Sequence, residues 1–173
     1  MKITYNWLKK YIDVPYTSEE LADKLTTAGI EVEEVSIANI IPEGVVVAEI
    51  LERKPHPNAD KLSICNVSTG KEELQIVCGA PNCDVGLKTS LATIGTVFIN
   101  EKIGEKFKIK KSKLRGVESY GMLCSATDLG LSEDHRGIME FSKATPVGTP
   151  VSSLIEADTV YDLEITPNRP DWL

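Results

Sequence analysis

The sequence is poor in the side chains from which most catalytic and metal sites are built. It holds two histidines, His56 and His135, and four cysteines, Cys65, Cys78, Cys83 and Cys124, with no CxxC pair among them. That spacing gives a zinc ion no ligand set, so the thiols read as buried and free in a reducing cytosol. The glycine-rich phosphate loops GxGxxG and GxxxxGKS/T are absent, as are HExxH and GxSxG. His56 sits between prolines in "KPHPNADKL" and reads as part of a turn between strands. His135, in the polar "SEDHRG", reads as a surface residue. No apolar run approaches the ~20 residues that span a bilayer, and "MKITYNWLKK" lacks the apolar centre of a signal peptide. Taken alone, the segment does not look like a catalyst.

What is present is an ordinary globular balance, 42% apolar and 26% charged over 173 residues, enough for one or two domains with a real core. The charge is unevenly spread. The chain carries a net −7, yet Lys102, Lys106, Lys108, Lys110, Lys111, Lys113 and Arg115 face only Glu105 within one short stretch. A polyanion is repelled by most of such a surface and drawn to that one segment. A solvated lysine-rich hairpin is the plainer reading, and charge alone does not separate the two.

Residues 1–38 read as a small α/β piece. Trp7, Leu8, Tyr11 and Ile12 stand at helical spacing. Thr17 or Ser18 can cap a second helix favoured by Glu19 and Glu20, with Gly29 as its stop, followed by a strand through Ile30, Val32, Val35 and Ile37. From about 43 to 150, "GVVVAEILERK", "LSICNVSTG", "ELQIVCGA", "TSLATIGTVFI" and "GIMEFS" are short β runs between turn residues, the pattern of a small barrel or sandwich. Residues 151–173 turn acidic and α/β-like; "TVYDLEITPNRP" alternates as a strand and then meets Pro167 and Pro170. The chain stops in that turn, so a longer protein is expected. Four clusters place a polar or long side chain just after a turn: Lys61 in "HPNADKL", Asn82 in "VCGAPN", Lys88 in "GLKTSLATIGT", and Lys113, Arg115, Ser119, Met122 and Ser125 in "KLRGVESYGMLCS".

Together "HPNADKL", "IVCGAPN", "KLRGVESYGMLCS" and "LGLSEDHRGI" resemble the tRNA-binding OB-fold module of several aminoacyl-tRNA synthetases, also known as a free-standing tRNA-binding protein. The flanks, "MKITYNWLKKYIDVPYTSEELADKLTTAGIEVEEV" and "DLEITPNRPDWL", resemble the beginning of the bacterial phenylalanyl-tRNA synthetase β subunit. Trp172 departs from the cysteine usual in that family. The resemblance implies an α+β protein: a five-stranded OB-fold β-barrel, residues 39–150, inserted into a small discontinuous α/β domain of residues 1–38 plus 151–173. It implies a non-catalytic, tRNA-binding part of a cytoplasmic ligase that joins phenylalanine to tRNA with ATP and magnesium, in a heterotetramer of two α and two β subunits. This segment itself would hold no cofactor.

On that reading Lys108, Lys110, Lys111, Lys113 and Arg115 meet phosphates, which give affinity without sequence information. Arg115 is the natural bidentate contact. Gly116 and Gly121 let Ser119 and Ser125 approach sugar or phosphate oxygens. Aromatics are only 6% of the chain, and Phe98, Phe107 and Phe141 are expected in the core. Shape and backbone recognition of structured RNA follows, with little base stacking beyond Tyr120. Two other readings stay open: a barrel that is mainly structural or binds protein, and a free-standing tRNA-binding protein.

Overall fold

The structure, a computed structural model, describes residues 1–100, 105–133 and 136–164; Lys102, His135 and the "TPNRPDWL" stretch lie outside them. In chain order the first elements are β1 (Lys2–Thr4), α1 (Tyr5–Leu8), α2 (Ser18–Thr27), β2 (Glu31–Ala38), β3 (Val45–His56), β4 (Ala59–Ser68) and β5 (Glu73–Cys78). There follow β6 (Lys88–Thr93), β7 (Val97–Asn100), β8 (Glu105–Lys108), β9 (Ser112–Leu114), β10 (Val117–Ser119), β11 (Gly121–Cys124), β12 (Glu140–Phe141) and β13 (Asp158–Glu164). The protein is mostly β, and among the described residues no helix is long and apolar enough to cross a membrane. Two compact units separate: Met1–Asn39 with the chain from Ala157, and Ile40–Glu156.

The first unit is a three-stranded antiparallel sheet in the order β1-β13-β2, with the two helices. The local sequence explains α2 completely. Thr17 Oγ1 accepts from the Glu20 N–H at 3.2 Å while Glu20 Oε2 accepts from the Thr17 N–H at 2.8 Å, a reciprocal cap on two free donors. At the other end Gly29 takes a left-handed φ of 92°, and the Gly29 and Ile30 amides donate to Thr26 and Leu25. The first helix is shorter than its spacing suggests. It closes one α turn, and Trp7, Tyr11 and Ile12 remain exposed rather than forming an apolar face. Tyr161 of β13 is the unit's buried anchor, its hydroxyl donating to Ser18 O at 2.7 Å.

The second unit is built on one curled antiparallel sheet of six strands, ordered β11-β6-β3-β4-β5, with β12 also pairing β6. β3 runs through its middle, and "VVVA" reads as an unbroken apolar run because both faces are covered. Val45 and Val47 pack into one cluster with Ile41, Ala92, Ile109, Cys124 and Val151; Ala48 and Ile50 pack into another with Cys65, Val67, Ile76 and Leu91. Each valine, leucine or isoleucine among them contributes roughly 1.5–3 kcal/mol by leaving water. The run "TSLATIGTVFI" is cut into β6 and β7 at Gly95, whose φ of 102° suits glycine.

The curl brings β5 toward the segment between β10 and β11. There the Tyr120 N–H donates to Gln75 O at 2.9 Å. Gly121 is hemmed in from both neighbours, since a Cβ there would stand 2.8 Å from Ala92 O of β6 and 3.2 Å from Ile76 Cδ1 of β5. Gly121→Ala is therefore expected to destabilise the unit by roughly 1–3 kcal/mol. A thermal melt with an unchanged midpoint would contradict the closeness of that packing.

Candidate nucleic-acid interface

Lys106, Lys108, Lys110, Lys111, Lys113 and Arg115 are all exposed. They lie on two β ribbons, β7–β8 and β9–β10, and on the link between them, which carries Lys110 and Lys111. Ile109 turns into the core at 3% exposure, so its neighbours Lys108 and Lys110 project outward. On the second ribbon Leu114 pairs with Val117, leaving Arg115 and Gly116 as a two-residue turn with φ values of 48° and 98°. Both are left-handed, as a tight hairpin of this twist requires, but arginine is an unusual choice for the first position. Its backbone is held there from outside: Asn58 Nδ2 donates to Arg115 O at 3.1 Å.

The same turn of β3–β4 supplies a second clamp. His56, buried, accepts the Asn58 N–H on Nδ1 at 3.0 Å, so its proton sits on Nε2 and is donated to Leu114 O at 3.0 Å. "HPN" thus positions the cationic hairpin by two side chains. Ser119 fixes its base. At 1% exposure its hydroxyl accepts from the Val77 N–H at 3.1 Å and donates to Gly121 O at 3.0 Å. The Ser119 hydroxyl is thus engaged on both sides within the fold.

One charge is already spent within the protein. Lys111 Nζ lies 2.9 Å from Glu118 Oε1 and 4.8 Å from the centre of the Tyr120 ring, while the Tyr120 hydroxyl donates to Glu118 Oε2 at 2.7 Å. The pairing holds Lys111 above the usual lysine range. The Tyr120 hydroxyl, followed by Lys111, holds Glu118 below the usual carboxylate range. Glu118 also stands directly across the ladder from Lys113. Among the described residues, Lys111 is alone among the six cations in closing an ion pair. Tyr120 thus has the Lys111 ammonium over one face of its ring. Phe107, by contrast, is 59% exposed, whereas Phe98 and Phe141 pack on the core as expected. The core assignment of Phe107 is therefore corrected: it lies on β8 beyond the packed layer.

A second feature gathers the other motifs. A cleft of about 310 Å³ is walled by Val77–Pro81, Met122, Leu123, Ser125, Asp128, Gly137 and Ile138. Met122 and Ser125 meet here, and Lys61, exposed at the start of β4, has its backbone carbonyl beside Gly79. Ser125 is turned onto Asp128, whose Oδ2 accepts from both the Ser125 amide and hydroxyl at 2.7 Å. Asn82 works behind the cleft. Its Nδ2 donates to Ile138 O and Glu140 Oε1, and its Oδ1 accepts from the Ile138 N–H, so the amide clamps the returning strand. Lys88 Nζ donates to the carbonyls of Lys143 and Thr145 at 2.7 and 2.6 Å, tying down the loop after β12. Among the described residues, no group of three His, Cys, Asp or Glu side chains is placed to hold a metal ion.

Glu118 and Phe107 are the residues that sequence reasoning missed. A signal for Glu118 was available: an Arg-Gly turn between two β runs sets Lys113 opposite the residue five places on. Counting charge only to Arg115 left that carboxylate out.

Comparison with known proteins matches residues 45–150 to the family model described as "Putative tRNA binding domain". Over its whole length the chain is similar to phenylalanine–tRNA ligase β subunits. It is 48% identical to that of Chlorobaculum tepidum, covering 100% of this chain and 22% of that protein. It is 49% identical to that of Protochlamydia amoebophila, covering 97% of this chain and 21% of that protein. The chain thus spans about a fifth of the length of the curated relatives it matches. A solved structure, a MetRS related protein from Pyrococcus horikoshii, superposes with a TM-score of 0.43 at 20% identity, over 80% of this chain and 97% of that one. A likeness that slight establishes neither fold nor function.

Proposed function

The chain belongs to the tRNA-binding-domain family, and from that premise we propose that it binds tRNA through the exposed cations of β8, β9 and the turn after β9. The observation that carries the reading is the outward projection of Lys108, Lys110, Lys113 and Arg115 from an otherwise acidic chain. We read the curled sheet as a five-stranded OB barrel with accessory strands, held by a discontinuous α/β domain. An OB barrel presents one strand face and its flanking loops to nucleic acid.

In this proposal Lys108, Lys110, Lys113 and Arg115 are the phosphate contacts, with Lys111 available once it leaves Glu118. Met122 and Ser125 border a cleft able to receive a sugar or base edge, with Lys61 exposed on the strand beside Gly79, while Asn82, Lys88 and Ser119 position the walls. Phe107 adds one exposed ring, which extends the expected shape recognition toward an unpaired base. The strained backbone of Arg115 fits this role. A left-handed arginine costs about 1–2 kcal/mol against glycine, and its side chain is what the turn gains.

The wider assignment rests on the relatives. The chain would be the tRNA-binding part of a cytoplasmic phenylalanine–tRNA ligase β subunit, working with an α subunit in a heterotetramer. ATP and magnesium would act in parts of that enzyme other than this one.

A salt titration tests the core of the proposal. With about five phosphates neutralised, log affinity for tRNA should fall against log salt with a slope of roughly −3 to −4. Affinity independent of salt, or no binding at millimolar protein, would remove the electrostatic reading. The protein-interaction alternative would then gain from the exposed Val97, Ile99 and Phe107.

A further inference from the structure

Three of the four cysteines meet in one place. Cys65 on β4 and Cys83 in the turn after β5 are both fully buried, with their sulfurs 3.1 Å apart. Cys78 closes β5 beside them. Its sulfur accepts the Ala80 N–H at 3.4 Å, and its residue forms part of the cleft wall. Cys124 belongs to the other core cluster, where its thiol donates to Met122 O. A core needing only small apolar volume at these points is served by alanine or valine. Thiols in contact add a reaction that those residues lack.

We infer that Cys65 and Cys83 form an oxidisable dithiol, a modification site that a hydroperoxide closes to an intramolecular disulfide. The pair already touches, so the bond needs a sulfur displacement of only about 1 Å to reach the covalent length near 2.05 Å. Within the cluster, the hydrogen bond from Cys83 holds the Cys65 thiol below its ordinary range, with the Arg53 guanidinium adding to the effect, while Cys83 is pushed up to about 11. Of the two, Cys65 is therefore the thiol that ionises more readily and Cys83 the one that keeps its proton. Cys65 sulfur attacks the peroxide O–O bond and keeps one oxygen as a sulfenic acid; the other oxygen leaves as water with the Cys83 proton. Cys83 sulfur, now a thiolate, then displaces the sulfenic oxygen, which leaves as a second water with the proton that Cys65 released to solvent on ionising. Two thiols are oxidised by two electrons and one peroxide is reduced to two waters. Cys78, on the cleft wall, marks where a molecule as small as hydrogen peroxide approaches from solvent.

The test treats the folded chain with hydrogen peroxide, then denatures it, alkylates free thiols and maps the peptides. The expected product has lost about 2 Da, retains two alkylatable thiols, links the Cys65 and Cys83 peptides, and regains all four thiols on reduction. Cys124→Ser should give the same Cys65–Cys83 link with one alkylatable thiol left, and Cys83→Ala should not form it. Four free thiols after treatment would overturn the inference. So would a bond involving Cys124, or one between two chains. Because the mapping on the unaltered chain decides the matter, poor folding of Cys83→Ala would not shield the inference.

Discussion

Changing Lys111, Lys113 and Arg115 together to glutamate is expected to lower tRNA affinity by roughly 100-fold near 0.1 M salt, the largest effect open to any surface substitution here. Lys111 and Lys113 both meet Glu118, one by an ion pair and the other across the ladder, and Arg115 stands at the turn that β9 enters. Their loss should be unequal. Lys111 is already paired, so Lys113 and Arg115 carry most of the change. The fold should survive, because the hairpin is anchored by backbone and by His56, Asn58 and Ser119, none of which uses these three side chains. Phosphate contacts carry no sequence information, so all tRNAs should weaken alike. Binding measured by fluorescence anisotropy on two unrelated tRNAs, with melting curves alongside, gives the answer. Unchanged affinity at an unchanged melting temperature would put the RNA elsewhere, and a selective loss for one tRNA would mean these residues read bases.

The extent to which this arrangement was legible in the sequence follows from the range of the forces involved. The α2 caps at Thr17, Glu20 and Gly29 were readable because capping is decided within one turn. The central strands were readable as apolar runs between turns. Phe107 was not, because an aromatic between two lysines in a strand looks the same whether its face meets the core or passes beyond it; Ile109, two residues on, is the one that is buried. Ser119 and Ser125 stood out as motif positions, but nothing in the motif shows that both hydroxyls are already hydrogen-bonded inside the protein. Their partners Val77 and Asp128 are set by tertiary packing and by a local turn respectively. Asn82 shows the same limit more sharply, since its three bonds reach residues 56 and 58 positions away.

Glutamate 118 supplies the opposite experiment, a substitution expected to strengthen binding. Glu118→Gln keeps the side-chain shape and the Tyr120 hydrogen bond but releases Lys111 and removes the carboxylate facing Lys113. With one more cation free for phosphate, affinity should rise by about fivefold to tenfold at low salt, and the log–log salt slope should steepen by about one. Acidification is a poor substitute for the amide. The Tyr120 hydroxyl and Lys111 depress the Glu118 pKa, so the pairing is complete at neutral pH and is lost only as pH falls through a value below the ordinary carboxylate range. Both partners are about half exposed, so the melting temperature should barely move, which separates this effect from a change in folding. If affinity instead falls while the melting temperature holds, Glu118 serves to hold Lys111 in its binding position. The ion pair would then be part of the interface, where the geometry now reads it as a brake.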